Sequence, residues 1–448
     1  MKAQLERSSS YNRKNHIWKK AKLLAKSRLS RSQIISKWLI VSWKYIINFA
    51  LSVRYKIIVF WNFISGQYCD SIDPEKTVWI SPDTVVYTGL REFDFQKYKG
   101  SVIGGSWDLL ENRFSDLDVY NAIKQVCCDK DDWPNTLFYQ RTINNIIKGE
   151  VHWGCQNQHD FDDRCQNIEK LFYSIKISGY KTQRDLLPQS CNDIRKLEDE
   201  ITVSIGRKGD LLFSNSAHRL AIAKLIGLKK IPVKVSSRHP QWVSFVQRVN
   251  VSVTKSSITP THEFSHPDLR ALPSSRYCES AYTLIRDELT VQQGLILDLG
   301  ARFGHICQHF QSDGFNCYAS ELDSCKLDNL KIIKSVERYE FTVIDSPILN
   351  INSIRGQYFN SVIALSCLHK LLNDSRLLSL FIEFVKTLDT NTFFYQPINS
   401  KNLDTTVDAG GDYDKIIESI LNYTDLNKLS LVGFTDNKLP LYKLSKQV

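Results

Sequence analysis

Hydrophobic positions change rhythm three times along this chain. Between Ile34 and Ile64, IISKWLIVSWKYIINFALSVRYKIIVFWNFI, they are nearly continuous, and Lys37, Lys44 and Asn48 fall at helical spacing to leave one polar stripe on an otherwise apolar helix. Between Lys76 and Val235 strand and helix periods mix. Lys76–Tyr87 and Gly100–Trp107 each read as a strand with a turn, and Asp162–Ser178 places Ile168, Leu171, Phe172 and Ile175 on one helical side. Ile201–Ile205, a turn at Gly206–Gly209 and Leu211–Phe213 form a hairpin, followed by a capped helix over Ser214–Ile226 and a short strand over Ile231–Val235. Ser256–Ser275, with three prolines and several Ser and Thr, reads as a linker, and a helix over Arg276–Leu289 leads out of it. From Leu295 to Asp323 the pattern is that of a strand, a tight glycine turn, a helix, a second strand and an acidic end, as in an α/β unit with a parallel sheet.

The first of these runs, Leu295-Ile296-Leu297, is apolar toward both faces and stops at Asp298-Leu299-Gly300. Gly300 and Gly304 let the backbone bend sharply and a ligand come close. The helix starting near Phe303 then presents unpaired N–H groups at its N-terminus. After Gly314, Asn316–Ser320 reads as the next strand, with Glu321 at its carboxyl end, 23 residues beyond Asp298. An acid at about that distance can hold both hydroxyls of a ribose.

D-L-G-A-R-F-G, followed by Glu321, resembles motif I and the post-I acid of class I S-adenosylmethionine-dependent methyltransferases. Later segments fall in that family's order. Phe341–Asp345 resembles its third strand, Phe359–Leu371 (FNSVIALSCLHKL) its fourth strand and ending, and Asn391–Pro397 with Leu429–Leu444 its fifth strand and closing antiparallel pair. Two positions depart: Arg302 replaces a middle glycine and Asn360 a frequent aspartate. The resemblance implies a seven-stranded Rossmann-like domain with S-adenosyl-L-methionine as cofactor. It implies that Asp298, Gly300 and Gly304 seat the methionine end, Glu321 the ribose hydroxyls and Asp345 the adenine, while Ser366 to His369 face the transferable methyl group. His369 has a pKa suited to a general base, which points to an oxygen nucleophile.

The segment NSAHRLAIAKLIGLKKIPV, starting at Asn215, resembles the helix start and following strand of the ParB/sulfiredoxin-like fold. That resemblance implies an α+β domain in which His218 and Arg219, at a helix N-terminus, meet nucleotide phosphates. The alternative is that the two residues cap and brace the helix. Ser216 replaces the usual glycine, and Ala217 stands where sulfiredoxins carry their reactive cysteine, which excludes sulfiredoxin chemistry. His152, Cys155, His159 and Cys165 invite a zinc reading, but H-x2-C-x3-H-x5-C is not a familiar ligand spacing, and no metal is expected.

Charge alters the picture at one end. The net charge is +10, yet residues 1–60 hold 14 Lys and Arg against the single Glu6, a net +13, which leaves the remainder slightly acidic. With Lys and Arg interrupting the apolar run before about 18 clean residues accumulate, residues 1–64 read as a helical segment lying on an anionic membrane surface rather than spanning it. Packing of that segment on protein stays open. Eleven cysteines without repeated spacing favour free thiols in a reducing compartment, and no secretory signal is apparent, so a cytoplasmic location is expected, with peripheral membrane contact.

The chain thus divides into a basic amphipathic segment (1–70), a ParB/sulfiredoxin-like domain (71–262), a linker (263–275) and a methyltransferase domain (276–448). DNA is disfavoured as acceptor: Ser-Cys-Leu-His follows the fourth strand where amino-methylating DNA enzymes carry [DNS]-P-P-[YFW], and no Pro-Cys nucleophile is present. The expected function is O-methylation of a small-molecule, glycan or lipid-linked acceptor. The alternative is a non-catalytic nucleotide-binding or regulatory protein with a degenerate methyltransferase domain.

Overall fold

The structure is a computed structural model, which describes residues 73–90, 98–109, 112–188, 200–254, 264–270, 276–321, 323–345, 356–368, 374–397 and 412–447, with Val53, Ile57, Ile354 and Leu371. The chain falls into two compact units, residues 1–70 with 187–198 and residues 71–186 with 199–448, and the described residues belong almost wholly to the second. Apart from Val53 and Ile57, the predicted amphipathic segment, residues 1–64, lies outside them, as does His369. No helix among the described residues is long and apolar enough to cross a membrane.

The amino-terminal lobe is built on a mixed sheet. Its strands are β1 (Thr77–Ile80), β2 (Tyr87–Thr88), β3 (Ser101–Val102), β4 (Asn112–Arg113), β5 (Ile201–Ile205), β6 (Leu211–Asn215) and β7 (Ile231–Arg238), in the order β1-β7-β5-β6-β2-β4 with β3 beside β7. Every residue of β5 is buried, Thr202 and Ser204 as well as the three apolar residues between which they alternate, so the strand is covered on both faces. Around the sheet lie α1 (Asp118–Ile123), α2 (Leu137–Ile147), α3 (Gln158–Ser178), α4 (Gln183–Leu186), α5 (Ala217–Leu225) and α6 (Pro240–Thr254).

Three expectations are corrected in this lobe. Gly100–Trp107 pairs only over β3, because the chain then turns to bring Trp107 Nε1 to the Ile103 carbonyl at 2.8 Å. Helix α3 starts one turn early, at Gln158, since the Asn157 side chain accepts the Asp160 N–H at 2.8 Å and caps it. Ser214 and Asn215 finish β6, and Ser216, in the left-handed region at φ 67, makes no side-chain cap to α5.

The carboxyl-terminal lobe alternates strand and helix. In order come α7 (Arg276–Glu288), β8 (Leu295–Leu299), α8 (His305–Ser312), β9 (Asn316–Ser320), α9 (Ser324–Glu337), β10 (Thr342–Val343), β11 (Tyr358–Leu365), α10 (Ser375–Lys386), β12 (Asp389–Gln396), α11 (Asp412–Tyr423), β13 (Lys428–Phe434) and β14 (Pro440–Ser445). The sheet runs β10-β9-β8-β11-β12-β14-β13, with β10 to β12 parallel and β14 antiparallel to both of its neighbours. Only two residues of the expected third strand pair, Thr342 and Val343.

The segment 264–270 is packed between the lobes. Phe264, His266, Asp268 and Leu269 are buried. Asp268 pairs with Arg238 of β7 at 2.8 Å and accepts the Trp242 indole N–H at 2.9 Å, while His266 Nε2 meets the Gly209 carbonyl at 3.1 Å. On the other side Glu337 of α9 accepts the Ser265 and His266 N–H groups at 2.7 and 2.9 Å. Gly209, at φ 90, lies where a Cβ would meet Trp242 at 2.5 Å and Val336 of α9 at 2.7 Å. One apolar cluster therefore runs from Trp242 and Phe245 through Phe264 to Phe310 and Ile333.

Candidate functional site

In an open parallel sheet the place to look is the crevice at the carboxyl ends of the strands where the winding reverses direction. Here β8 is followed outward by β9 and β10 on one side, and by β11 and β12 on the other. The reversal lies between β8 and β11, and most of the residues singled out in this lobe gather there.

Asp298 is the fourth residue of β8 and 3% exposed. Burial pushes its carboxyl up to about 7; the Cys307 thiol, donating to Oδ2 at 3.6 Å, pulls it back in part, and the charge of Glu321 adds to the rise. The bend after β8 tucks against β9, with the Gly300 and Ala301 N–H groups donating to the Ser320 carbonyl at 2.8 and 3.0 Å. Glu321, buried at the end of β9, turns toward the bend and accepts the Arg302 N–H at 2.7 Å. Arg302 is itself left-handed, at φ 53, and its side chain is exposed.

The glycines of the bend answer to packing as well as to a ligand. Both have positive φ, 77 and 80. A Cβ on Gly300 would meet Cys367 Cβ at 2.4 Å, and one on Gly304 would meet the Phe341 ring at 2.3 Å. The room read from the sequence as space for a ligand is thus partly filled by the protein's own side chains. The Cys367 thiol donates to the Leu299 carbonyl at 2.9 Å and is pushed far up by burial and by both carboxylates, which makes it a neutral packing group.

Ser366 follows β11 in the left-handed region, φ 51, a conformation held at a cost that often marks a site. Its hydroxyl lies 3.2 Å from both Gln396 Oε1 and the Pro397 carbonyl, so it is turned to the end of β12. Asp345 follows β10 on the same edge of the sheet, exposed and paired with Lys331 of α9. Asn360 is structural: its Oδ1 accepts the Leu295 N–H at 2.7 Å and fixes the start of β8.

In the amino-terminal lobe a cavity of about 720 Å³ opens at the N-terminus of α5, lined by Trp153, Arg164, Ser214, Ser216, His218 and Arg219 among others. His218 does not fit a cationic phosphate contact. Burial, then Arg164 and Arg219, push its pKa down to about 3, its Nε2 has no hydrogen-bond partner, and its ring sits 5.0 Å from that of Trp153. Arg219 is mostly buried and braces Glu200 at 3.8 Å, beside Tyr180. The arginine that the sequence did not single out is Arg164, four residues ahead of Ile168 on α3; its buried Nε has no partner. On a helix of such mixed polarity nothing in the pattern separates a cavity-facing Arg from a solvated one.

No group of three or more His, Cys, Asp or Glu converges among the described residues to hold a metal. Cys155 Sγ contacts the Trp153 and Asp160 carbonyls, and His159 is exposed beside Asp163. Burial pushes the Cys165 thiol up to about 12.

Five parallel strands closed by an antiparallel pair, in the order third, second, first, fourth, fifth, seventh, sixth, define the class I methyltransferase fold. No protein-family model matches the chain, and no curated protein matches it. Among solved structures it is similar to WbdD, with its C-terminal bundle ordered to residue 505, at 16% identity over 45% of this chain and 41% of that one, TM-score 0.33. It is similar to magnesium protoporphyrin IX methyltransferase (ChlM) from Synechocystis PCC 6803 with bound SAM, at 12% identity over 38% of this chain and 78% of that one, TM-score 0.28. N-methyltransferase NodS from Bradyrhizobium japonicum WM9 gives 12% identity over 38% and 97%, TM-score 0.31. The chain thus spans about two fifths of the WbdD chain it matches. Strand order and register, rather than these scores, carry the fold assignment.

Proposed function

We propose that the carboxyl-terminal lobe is an S-adenosylmethionine-dependent methyltransferase acting on an oxygen of a small-molecule, glycan or lipid-linked acceptor. The observation that carries the reading is the meeting of two buried carboxylates, Asp298 and Glu321, at the bend where the sheet reverses. Burying two acids side by side is unfavourable unless a cation or hydrogen-bond donors answer them. A ligand with an ammonium, a sulfonium and a ribose diol supplies both.

The cofactor, when bound, supplies an activated methyl group for in-line displacement. The chain's task is then mainly positioning. In this reading Asp298 orients the ammonium and Glu321, already fixed by the Arg302 N–H, accepts from the ribose hydroxyls. Asp345, at the outer edge, meets the adenine, and His369 takes the acceptor's proton. Residues 1–64 hold the protein at an anionic surface, which vesicle flotation with and without anionic lipid tests.

Titration calorimetry of the full chain with S-adenosylmethionine tests the main reading. Binding that Asp298→Ala and Glu321→Ala each abolish supports it. Absence of heat with the wild-type protein removes it and favours a non-catalytic role. One observation favours a second ligand: the α5 cavity, with Arg164 and Arg219 on its wall, has the charge and volume for a nucleotide. A CTP or ATP titration in which Arg164→Ala and Arg219→Ala change nothing would remove that assignment.

A further inference from the structure

Arg164 is held differently from two other arginines of its lobe. Arg207 and Arg238 are each gripped by a carboxylate, Asp108 and Asp268, at 2.7 and 2.8 Å. Arg164 is held by a ring instead. Its guanidinium carbon lies 5.8 Å from the centre of the Trp153 ring, its buried Nε has no hydrogen-bond partner, and no carboxylate pairs with it among the described residues, although Asp160 and Asp163 precede it on α3. Contact with an aromatic face fixes a guanidinium without using its N–H groups. Trp153 itself sits in the left-handed region, φ 53, a conformation kept at a cost. The donors of Arg164, and the start of α5 on the same wall, which has no side-chain cap, are thus placed to meet an oxyanion.

A second cavity, of about 410 Å³, shares Phe213 and Ser214 of β6 with the first. The Ser214 hydroxyl lies 3.0 Å from that of Ser204, which also lines the second cavity. The wall there has a different character: Arg113 and Arg141 stand with Asp116 and Asp118, and Arg141 pairs with Asp118 at 2.7 Å. A free anion is repelled by the two carboxylates and a free cation by the two guanidinium groups. Hydroxyls, which both donate and accept, satisfy both signs. The first cavity therefore suits phosphate and the second a neutral, hydroxyl-rich group, and one stretch of strand borders both.

We infer that the two cavities are subsites for one ligand, a nucleoside diphosphate-linked sugar, with the diphosphate at Arg164 and the start of α5 and the sugar hydroxyls among Arg113, Asp116 and Asp118. This rests on the nucleotide reading of the first cavity, and the test separates the two. Calorimetry of the full chain compares UDP, GDP and CDP with UDP-glucose, GDP-glucose and CDP-glucose on wild type, Arg164→Ala, Arg113→Gln and Asp116→Asn, with thermal melts run alongside. Arg113 and Asp116 are exposed, so their substitutions leave the melting temperature unchanged and misfolding does not explain a loss. The expected result, for at least one base, is about tenfold tighter binding of the sugar conjugate than of the diphosphate. Arg164→Ala weakens both ligands about tenfold, whereas Arg113→Gln and Asp116→Asn bring the conjugate toward the affinity of the diphosphate and leave the diphosphate itself unchanged. A diphosphate bound as tightly as its conjugate, or a preference that survives both of those substitutions, overturns the inference and leaves the nucleotide reading standing. Wild type that binds none of the six ligands overturns both.

Discussion

Asp298 links protonation to both stability and ligand affinity. Burial raises its carboxyl from an ordinary 3.8 to about 7, so the folded protein holds a proton there that the unfolded chain has released by neutral pH. A group raised in this way contributes its stability below pH 4 and loses it as pH climbs toward 7. Asp298→Asn should therefore stabilise the ligand-free protein at pH 8, by on the order of 4 kcal/mol at most, as read from denaturant midpoints. A cationic donor binds the carboxylate form. Its affinity should rise about tenfold between pH 6 and pH 8 and then level off, and Asp298→Asn should flatten that profile. A second prediction concerns Gly300. With φ at 77 and Cys367 Cβ at 2.4 Å from a new methyl, Gly300→Ala should cost about 1–3 kcal/mol. Adding Cys367→Gly should recover the part due to the clash and leave the part due to backbone strain. Asp298, Gly300 and Glu321 were legible as a set because turn chemistry and strand ends are local. Cys367 as the cover of Gly300 was not, since 67 residues separate them.

Among the elements, the buried segment 264–270 and the helices it joins decide how the lobes are held. Burial pushes the Asp268 carboxyl up, but Arg238, with help from His266 and the Trp242 N–H, more than offsets this and keeps it below the usual range. Removing the acid strands the arginine. Asp268→Ala should cost about 3–5 kcal/mol, measured by chemical denaturation, whereas substitution of the exposed pair Lys386–Glu383 should cost less than about 1 kcal/mol. In sequence this stretch lies inside Ser256–Ser275, whose three prolines and several Ser and Thr give a loop composition. Prolines report that no regular element runs through; they do not report whether the irregular chain is solvated or enclosed.

Across the whole molecule, the apolar cluster shared by both lobes predicts that they melt together. Calorimetry of the full chain should show them unfolding in one transition; two well-separated transitions for residues 71–448 would argue that the shared core contributes little. Acid should act through two histidines. Burial lowers His266 from 6.5 to about 4 and His218 from 6.5 to about 3, so each contributes stability above pH 6.5 that is lost as pH falls toward those values. Asp298 works in the opposite direction over the same window, but one group stands against two larger or comparable shifts. Stability should therefore decline between pH 6.5 and pH 4, and His266→Gln should reduce the decline. A protein that gained stability on that acidification would contradict the burial of these rings.

Local pattern and turn residues by themselves determined the strand, bend, helix and second strand from Leu295 to Ser320 and the acid Glu321 that faces the bend, because each depends on neighbours within a few positions, while the later strands were placed by the resemblance of their ordered segments to a family. Only the tertiary structure decided which side chains fill the bend, that His218 is neutral and Arg164 faces the cavity, and that residues 264–270 lie inside a common core. Those outcomes depend on which distant surfaces meet and how much water they exclude, and desolvation has no one-dimensional signature.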